Sequence, residues 1–309
     1  MSEIILAFDF GGTKLTAVSL LTDQLTNPNP QWQGRERVFS PDDGDAQFDI
    51  ETMIALGRKL AQGQTVAAIG VSFGGPMDYD AGVVRLSHHV PGWENTPLQA
   101  LLEDAFHAPV RVDNDANVAA LGEWRFGAGR GVNHLLYVTV STGVGGGWIL
   151  GKRPFRGAAG MAGEIGHTVV DPTGPVCLCG KRGCVERLAS GPYMAQDLAA
   201  RLGVPDEQIT GKDVADMAGQ GNGDAQQILL RGAWALGVGV GNAANLINPE
   251  RVVLGGGVTK SGDQWWQTVC RTAHETALPE ITFDLLPAAL ADDAPLWGAV
   301  ALVDEEMMG

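Results

Sequence analysis

Three glycine-dense turns, each at the end of a short apolar run, constrain this chain more than any other feature. The first, at Gly11 and Gly12, follows residues 4–10; the second, at 143–147, follows 135–141; the third, at Gly255, Gly256 and Gly257, follows 252–254. At the first, a turn without Cβ atoms lets backbone N–H groups come close to a ligand's oxygens, so it is open to two readings, a phosphate cradle or a plain tight hairpin. Glycine is abundant enough to make such turns a theme, with 43 in 309 residues against a usual share of about 7%.

Strand patterns resume after the first two turns, at 15–21 and 148–150, so the chain uses one strand-turn-strand device twice. Helix and strand patterns alternate around them. Periodicity predicts helices at 50–60, 98–106, 116–126, 193–202, 213–218, 224–247 and 296–306, with buried strands at 66–73 and 110–112. Thr96 with Pro97 behind it reads as the cap and first turn of the second helix. Length favours two α/β lobes, one of residues 1–115 plus the final helix (296–309), the other of residues 116–295. Gly127, Gly129 and Gly131 are the candidate hinge between them.

Charge and composition exclude several roles. A formal charge of −15 opposes a broad grip on nucleic acid, which depends on Lys and Arg displacing counterions. The apolar stretch 232–247 falls short of the roughly 20 residues a spanning helix needs, and Asn242 and Asn245 interrupt it, so it reads as a buried helix and no membrane contact is expected. No basic segment precedes the apolar run at Ile4, which predicts a chain that stays in the cytoplasm. Four cysteines, three of them between Cys177 and Cys184, suit a metal in a reducing compartment better than a disulfide framework. With His167 they make one imidazole and three thiolates, a donor set matched to tetrahedral structural zinc; Cys270 is read as core.

The segment Val112-Asp-Asn-Asp-Ala-Asn117 puts acids and amides where a strand gives way to a helix. Side chains at such a junction project into a cleft, and capping of the helix by Asp113 or Asp115 is the plain structural reading. Walker and dinucleotide motifs do not fit: no G-x-G-x-x-G opens a helix, and the stretch from Gly146 to Lys152 meets Arg153 where a P-loop needs Ser or Thr.

Taken together, Asp9-Phe-Gly-Gly-Thr-Lys14 resembles the first phosphate motif of ROK (repressor, open reading frame, kinase) sugar kinases. Thr142-Gly-Val-Gly-Gly-Gly147 resembles their second, and Gly255-Gly-Gly-Val258 their adenosine-side turn. Gly163-Glu-Ile-Gly-His167 and Cys177-Leu-Cys-Gly-Lys-Arg-Gly-Cys-Val-Glu186 resemble the family's zinc segments, and all lie in the family's order along essentially the whole chain.

The resemblance implies a two-lobed ribonuclease H-like fold of the actin-like ATPase type, with ATP and magnesium between the lobes. Asp9 would then meet the magnesium; Gly11, Gly12, Thr13, Lys14, Thr142, Gly143, Gly145, Gly255, Gly256 and Gly257 would meet the nucleotide. Asp115 becomes the base that takes the sugar hydroxyl's proton, with Asn114 orienting the sugar and Glu164, Glu186 and the free ring nitrogen of zinc-bound His167 hydrogen-bonding its other hydroxyls. Two loops, 74–78 with Gly75 and 87–93 with His89, line the sugar pocket.

Here the chain departs from many relatives, which carry Pro-Gly-Pro at Gly74-Gly75-Pro76 and asparagine at His89; His88 reads as a surface residue. The implied reaction is transfer from ATP to the 6-hydroxyl of a hexose, glucose first. N-acetylmannosamine, N-acetylglucosamine, fructose and allose are the alternatives, and a homodimer is the implied assembly. A sugar-sensing repressor of the same family would carry a helix-turn-helix domain ahead of this core, and Asp9 leaves no room for one.

Overall fold

The computed structural model describes residues 3–27, 29–87 and 89–307, so His88 and the extreme ends of the first lobe lie outside the described residues. The chain forms two compact units. The first comprises the residues up to Arg130, the short stretch Arg156–Ala162 and the chain from Asp292 onward; the second comprises Gly131–Phe155 and Gly163–Ala291.

In the first unit, β1 (Glu3–Phe10) and β2 (Lys14–Leu21) form the expected hairpin and β3 (Gly34–Phe39) continues it. Then come α1 (Ala46–Ala61), β4 (Thr65–Phe73), the small β5 (Met77–Asp78) and β6 (Val83–Val84) ladder, α2 (Leu98–Phe106), β7 (Val110–Asn114) and α3 (Asp115–Phe126). Strand order is β3-β2-β1-β4-β7, antiparallel through β1 and parallel from β1 to β7. Ile4, Leu6 and Phe8 join Met53, Leu56 and Leu60 of α1 in one core, each such burial being worth roughly 2 kcal/mol. The expected cap at Thr96 is not made. Pro97 takes the position before α2, and the Thr96 hydroxyl instead donates to the Gly92 carbonyl at 3.3 Å.

The second unit repeats the plan. β8 (Leu135–Val140), β9 (Val144–Leu150) and β10 (Arg153–Phe155) make an antiparallel meander. After it come α4 (Val185–Ala189), α5 (Gly191–Leu202), α6 (Gly211–Gly219), α7 (Gly223–Ile247), β11 (Arg251–Gly255), α8 (Asp263–Thr276) and β12 (Asp284–Pro287). Order is β10-β9-β8-β11-β12, with β8, β11 and β12 parallel. Gly145, Gly146 and Gly147 lie inside β9 rather than in a turn, because they pair with Thr139, Val138 and Tyr137; the turn itself shrinks to residues 141–143. One face of α7 is buried as expected while its last turn, with Leu246 and Ile247, is exposed; Asn245 bonds the Thr276 carbonyl at 3.0 Å and the Leu278 N–H at 2.8 Å. No described helix is long and apolar enough to cross a membrane.

The chain closes with α9 (Ala294–Met307), which returns to the first unit. A Cβ on Gly70 of β4 would stand 1.8 Å from the Ala299 carbonyl oxygen, and one on Gly298 would stand 1.7 Å from that of Val118 in α3. This packing carries α3 with the first unit, so the unit runs past the expected boundary at residue 115. After α3 the glycine run is held in place: the N–H groups of Gly127 and Gly129 donate to the Glu123 carbonyl, and that of Ala128 to the Glu123 carboxylate at 2.8 Å.

Asp197 of α5 joins three elements of the second unit, accepting two bonds from Arg187 of α4 and one from Arg231 of α7. Burial works against its charge, but the two guanidinium groups outweigh that and hold the carboxyl below the usual carboxylate range. We expect Asp197→Asn to lower unfolding free energy by about 2 kcal/mol near neutrality, less than a fully buried pair because the carboxylate is partly exposed. A depressed acid stabilises above its unfolded pKa of about 3.9 and loses that contribution as pH falls through the folded value. Urea titrations should therefore find the variant and parent converging as the solution is acidified.

Candidate active site

Parallel register lines up the ends of three strands in the first unit: Phe10 pairs with Phe73, and Phe73 with Asn114. The turns that follow thus open along one edge, the carboxyl edge where ligands of open α/β sheets bind. At the first, the Gly11 N–H donates to the Lys14 carbonyl at 3.1 Å, and Gly12 and Thr13 are exposed. At the second, the Gly74 N–H donates to the Phe10 carbonyl at 3.1 Å, and a Cβ on Gly75 would meet the Leu86 carbonyl oxygen at 2.7 Å.

At the third, Asn114 caps α3, its side-chain oxygen accepting from the N–H groups of Ala116 and Asn117. Asn114 thus takes the cap position, and Asp115 Oδ1 also accepts from the Ala116 N–H at 2.8 Å, so the capping expected of Asp115 is made in part. Asp115 is the first residue of the helix, where positive dipole favours a carboxylate. Its Oδ1 accepts from Asn114 Nδ2 at 3.0 Å, and its Oδ2 lies 3.8 Å from where a Gly74 Cβ would stand. Asn114 also donates to the Gly75 carbonyl at 3.2 Å, which joins the second and third turns.

Asp9 sits just before the first turn and accepts from the Ser72 hydroxyl at 2.9 Å. Burial pushes its carboxyl up, against the hydrogen bond from Ser72 and the charges of Lys14, Arg37 and Arg35. His89, expected at the edge of a sugar, lies over the first turn: a Cβ on Gly12 would meet its ring at 3.1 Å.

In the second unit the two remaining glycine turns meet. A Cβ on Gly256 (φ +89°) would stand 2.3 Å from the Val140 carbonyl oxygen, and one on Gly257 4.0 Å from Ser141 Oγ. Thr142 is exposed at the tip. Glu186 reaches this turn from α4, accepting from the Val144 N–H at 3.0 Å with Oε2 2.8 Å from a Gly143 Cβ position. Nothing in the sequence signalled that backbone contact, since the two residues are 42 positions apart.

His167, Cys177, Cys179 and Cys184 gather with all ligand atoms within 4.8 Å of one another. Cys179 and Cys184 sulfurs are 3.5 Å apart, close to the separation tetrahedral thiolates have around a shared ion. Burial pushes the Cys184 thiol up to about 12 and raises Cys177, while the Lys181 N–H draws Cys179 down. His167 Nδ1 is buried with no hydrogen-bond partner, as a nitrogen directed at a cation would be. Its Nε2 lies 3.9 Å from a Glu164 oxygen. The group therefore fits a tetrahedral divalent cation.

Two sheets of like plan, each ending in glycine turns at the carboxyl edge of parallel strands, define an α/β protein of the actin-like ATPase class. A model of the ROK family matches residues 5–306. The glucokinase of Halalkalibacterium halodurans is 34% identical over 319 residues, which cover 96% of this chain and 94% of that protein. An N-acetylmannosamine kinase of Shigella flexneri is 33% identical over 308 residues, covering 98% and 99%. Among solved structures, a ROK family glucokinase from Streptomyces griseus in complex with glucose and AMPPNP is similar at a TM-score of 0.81 and 29% identity, covering 98% of this chain and 99% of that one. The chain belongs to the ROK family.

The junction of the two turns in the second unit is testable by glycine replacement. Gly256→Ala should lower unfolding free energy by at least about 2 kcal/mol, since it meets both a forbidden φ and a carbonyl. Gly203→Ala, with φ +69° and open space around it, supplies the control for φ alone and should lose only about 1 kcal/mol. Equal losses in urea unfolding would count against a close junction.

Proposed function

We propose that this chain transfers the γ-phosphoryl group of ATP to the 6-hydroxyl of a hexose, glucose foremost, with Asp115 as general base. The observation that carries the reading is the alignment of Phe10, Phe73 and Asn114, which sets Asp115 on the same sheet edge as the first glycine turn. Full-length similarity to a glucokinase supports a sugar as acceptor, and a relative bound to glucose and AMPPNP supports ATP as donor.

In this reading Asp115 accepts the proton as the hydroxyl oxygen attacks phosphorus. Asn114, fixed by its cap and by Gly75, holds the carboxylate and the sugar in register. Gly75 and His89 are the proposed sugar contacts of the first unit, and Glu164, Glu186 and His167 Nε2 those of the second. A pocket of such groups rejects an analogue lacking a hydroxyl far more strongly than an apolar pocket rejects an extra methylene.

The turns at Gly11 to Lys14, Thr142 to Gly145 and Gly255 to Gly257 supply N–H donors for phosphates and room for the nucleoside. Asp9 is the carboxylate that would hold magnesium, whose charge offsets that building on the phosphate oxygens. His167, Cys177, Cys179 and Cys184 would hold a structural zinc that fixes the His167 ring. Similarity to the N-acetylmannosamine kinase supports a second reading, in which the acceptor is that amino sugar.

Three measurements test the proposal. A panel of hexoses and N-acetylhexosamines with ATP, followed by ADP release, should give the highest kcat/KM with glucose; a preference for N-acetylmannosamine would favour the second reading, and no stimulation by any sugar would sink both. Asp115→Asn should bind glucose with near-normal affinity yet lose turnover by at least about 10³-fold, and near-normal turnover would remove it as the base. Metal analysis of protein purified without chelators should find about one equivalent of zinc per chain, and Cys184→Ser should lose it together with thermal stability.

A further inference from the structure

Arg156 is the one charged residue in the run Arg156-Gly-Ala-Ala-Gly-Met-Ala-Gly163, and its loop, Arg156–Ala162, packs with the first unit although residues of the second flank it on both sides. Arg156 Nε donates to Asp113 Oδ2 at 2.7 Å, with the two side chains 20% and 4% exposed. The guanidinium sits over the Tyr79 ring, its central carbon 3.5 Å from the centroid. A second loop contact sits beside it, where a Cβ on Gly160 would stand 2.9 Å from the Met77 carbonyl oxygen. Tyr79, Arg85, Arg156 and the loop's glycines line a cavity of about 560 Å³ in this unit.

The other oxygen of Asp113 faces the catalytic turn. Oδ1 accepts from the Asn114 N–H at 2.8 Å and from Asn117 Nδ2 at 3.2 Å, so one carboxylate grips the last residue of β7, the first full turn of α3 and the loop. Burial pushes the Asp113 carboxyl up, and the charge and hydrogen bond of Arg156 are the largest opposing influences, ahead of Asn114 and Asn117. A directional donor held over an aromatic ring in this way is arginine's geometry and not lysine's.

We propose that Arg156 is a positioning residue for phosphoryl transfer, holding through Asp113 the turn that carries Asn114 and Asp115. The inference rests on Asp115 being the base. Displacement of a reacting group by about 1 Å can slow a reaction about 10²-fold, so a clamp one residue from the Asn114 cap acts on kcat more than on sugar affinity. A staple with only a structural role would change stability and leave the pH profile of the folded enzyme alone.

The test uses the full chain with Arg156→Gln, Arg156→Lys, Asp113→Asn and the double variant Arg156→Gln/Asp113→Asn, beside Asp115→Asn. Arg156→Gln should lower kcat by about tenfold or more in protein that is folded by circular dichroism, with the KM for glucose moving less than about threefold. The acid limb of its kcat profile should move to higher pH, because Asp113 without its cation takes up a proton more readily. The double variant, with an amide pair in place of the ion pair, should recover most of the kcat and lose that movement, and Arg156→Lys should recover little.

Should Arg156→Gln not fold, Arg156→Lys and the double variant carry the same comparison. Parental kcat and pH profile in Arg156→Gln, or a double variant no better than it, overturns the proposal. Near-normal turnover in Asp115→Asn instead sinks the reading of the base and is scored separately.

Discussion

Backbones in this protein touch where a single methyl group would not fit. Gly70 lies against the Ala299 carbonyl, Gly122 against Ala294 and Gly298 against Val118, and together these contacts seat α9 on β4 and α3. No side-chain interlock could bring two helices and a strand this close, because each Cβ would overlap a carbonyl oxygen. The same device recurs in the second unit, where Gly163 meets the Gly146 carbonyl with a Cβ position 2.2 Å from its oxygen, and Gly166 meets that of Val144 at 2.0 Å. Those two contacts carry the segment bearing Glu164 and His167 onto β9. High glycine content is therefore a condition of the architecture and not of the turns alone.

Strand direction then decides where chemistry can gather. β1, β4 and β7 run the same way, so whatever follows them emerges on one edge, and the chain supplies a glycine turn, a second glycine turn and an acid. β8 and β11 do the same for the other two glycine turns. The sheets need no long loops to assemble these groups. Short turns suffice: that from Gly11 to Lys14 is closed by a backbone hydrogen bond, and another ties Gly74 to Phe10.

Much of this was legible in the residues, and the gaps have physical causes. Strands buried on both faces, such as Ile4 to Phe10, read as continuous apolar runs, and helices with one apolar stripe announced themselves to within a few positions. β3 was silent because Gly-Arg-Glu-Arg-Val-Phe is an edge strand whose charged side chains, paired with Asp293, Lys59 and Thr16, give it no apolar run to read. α8 hid behind a polar surface, and α1 began four residues before its apolar period because Asp45, not an apolar residue, starts it.

Among the proposed site residues, the gathering of His167 with the three thiols was legible from the cysteine spacing. Arg156 was not, since its partner is 43 residues away and a lone arginine in a Gly-Ala loop looks solvated. Nor was Glu186's bond to Val144, or His89's seat over Gly12, because periodicity carries no information on which loops fold over which.

The chain crosses from one unit to the other after Arg130, Phe155, Ala162 and Ala291. During synthesis, therefore, every residue of the second unit leaves the ribosome before α9 does. The first sheet must wait with the Gly70 face of β4 uncovered while its neighbour completes a core, a period in which that bare strand face is open to wrong partners. Any treatment that slows release of the final helix should trap a half-built molecule, one unit finished and the other still lacking the element that closes it.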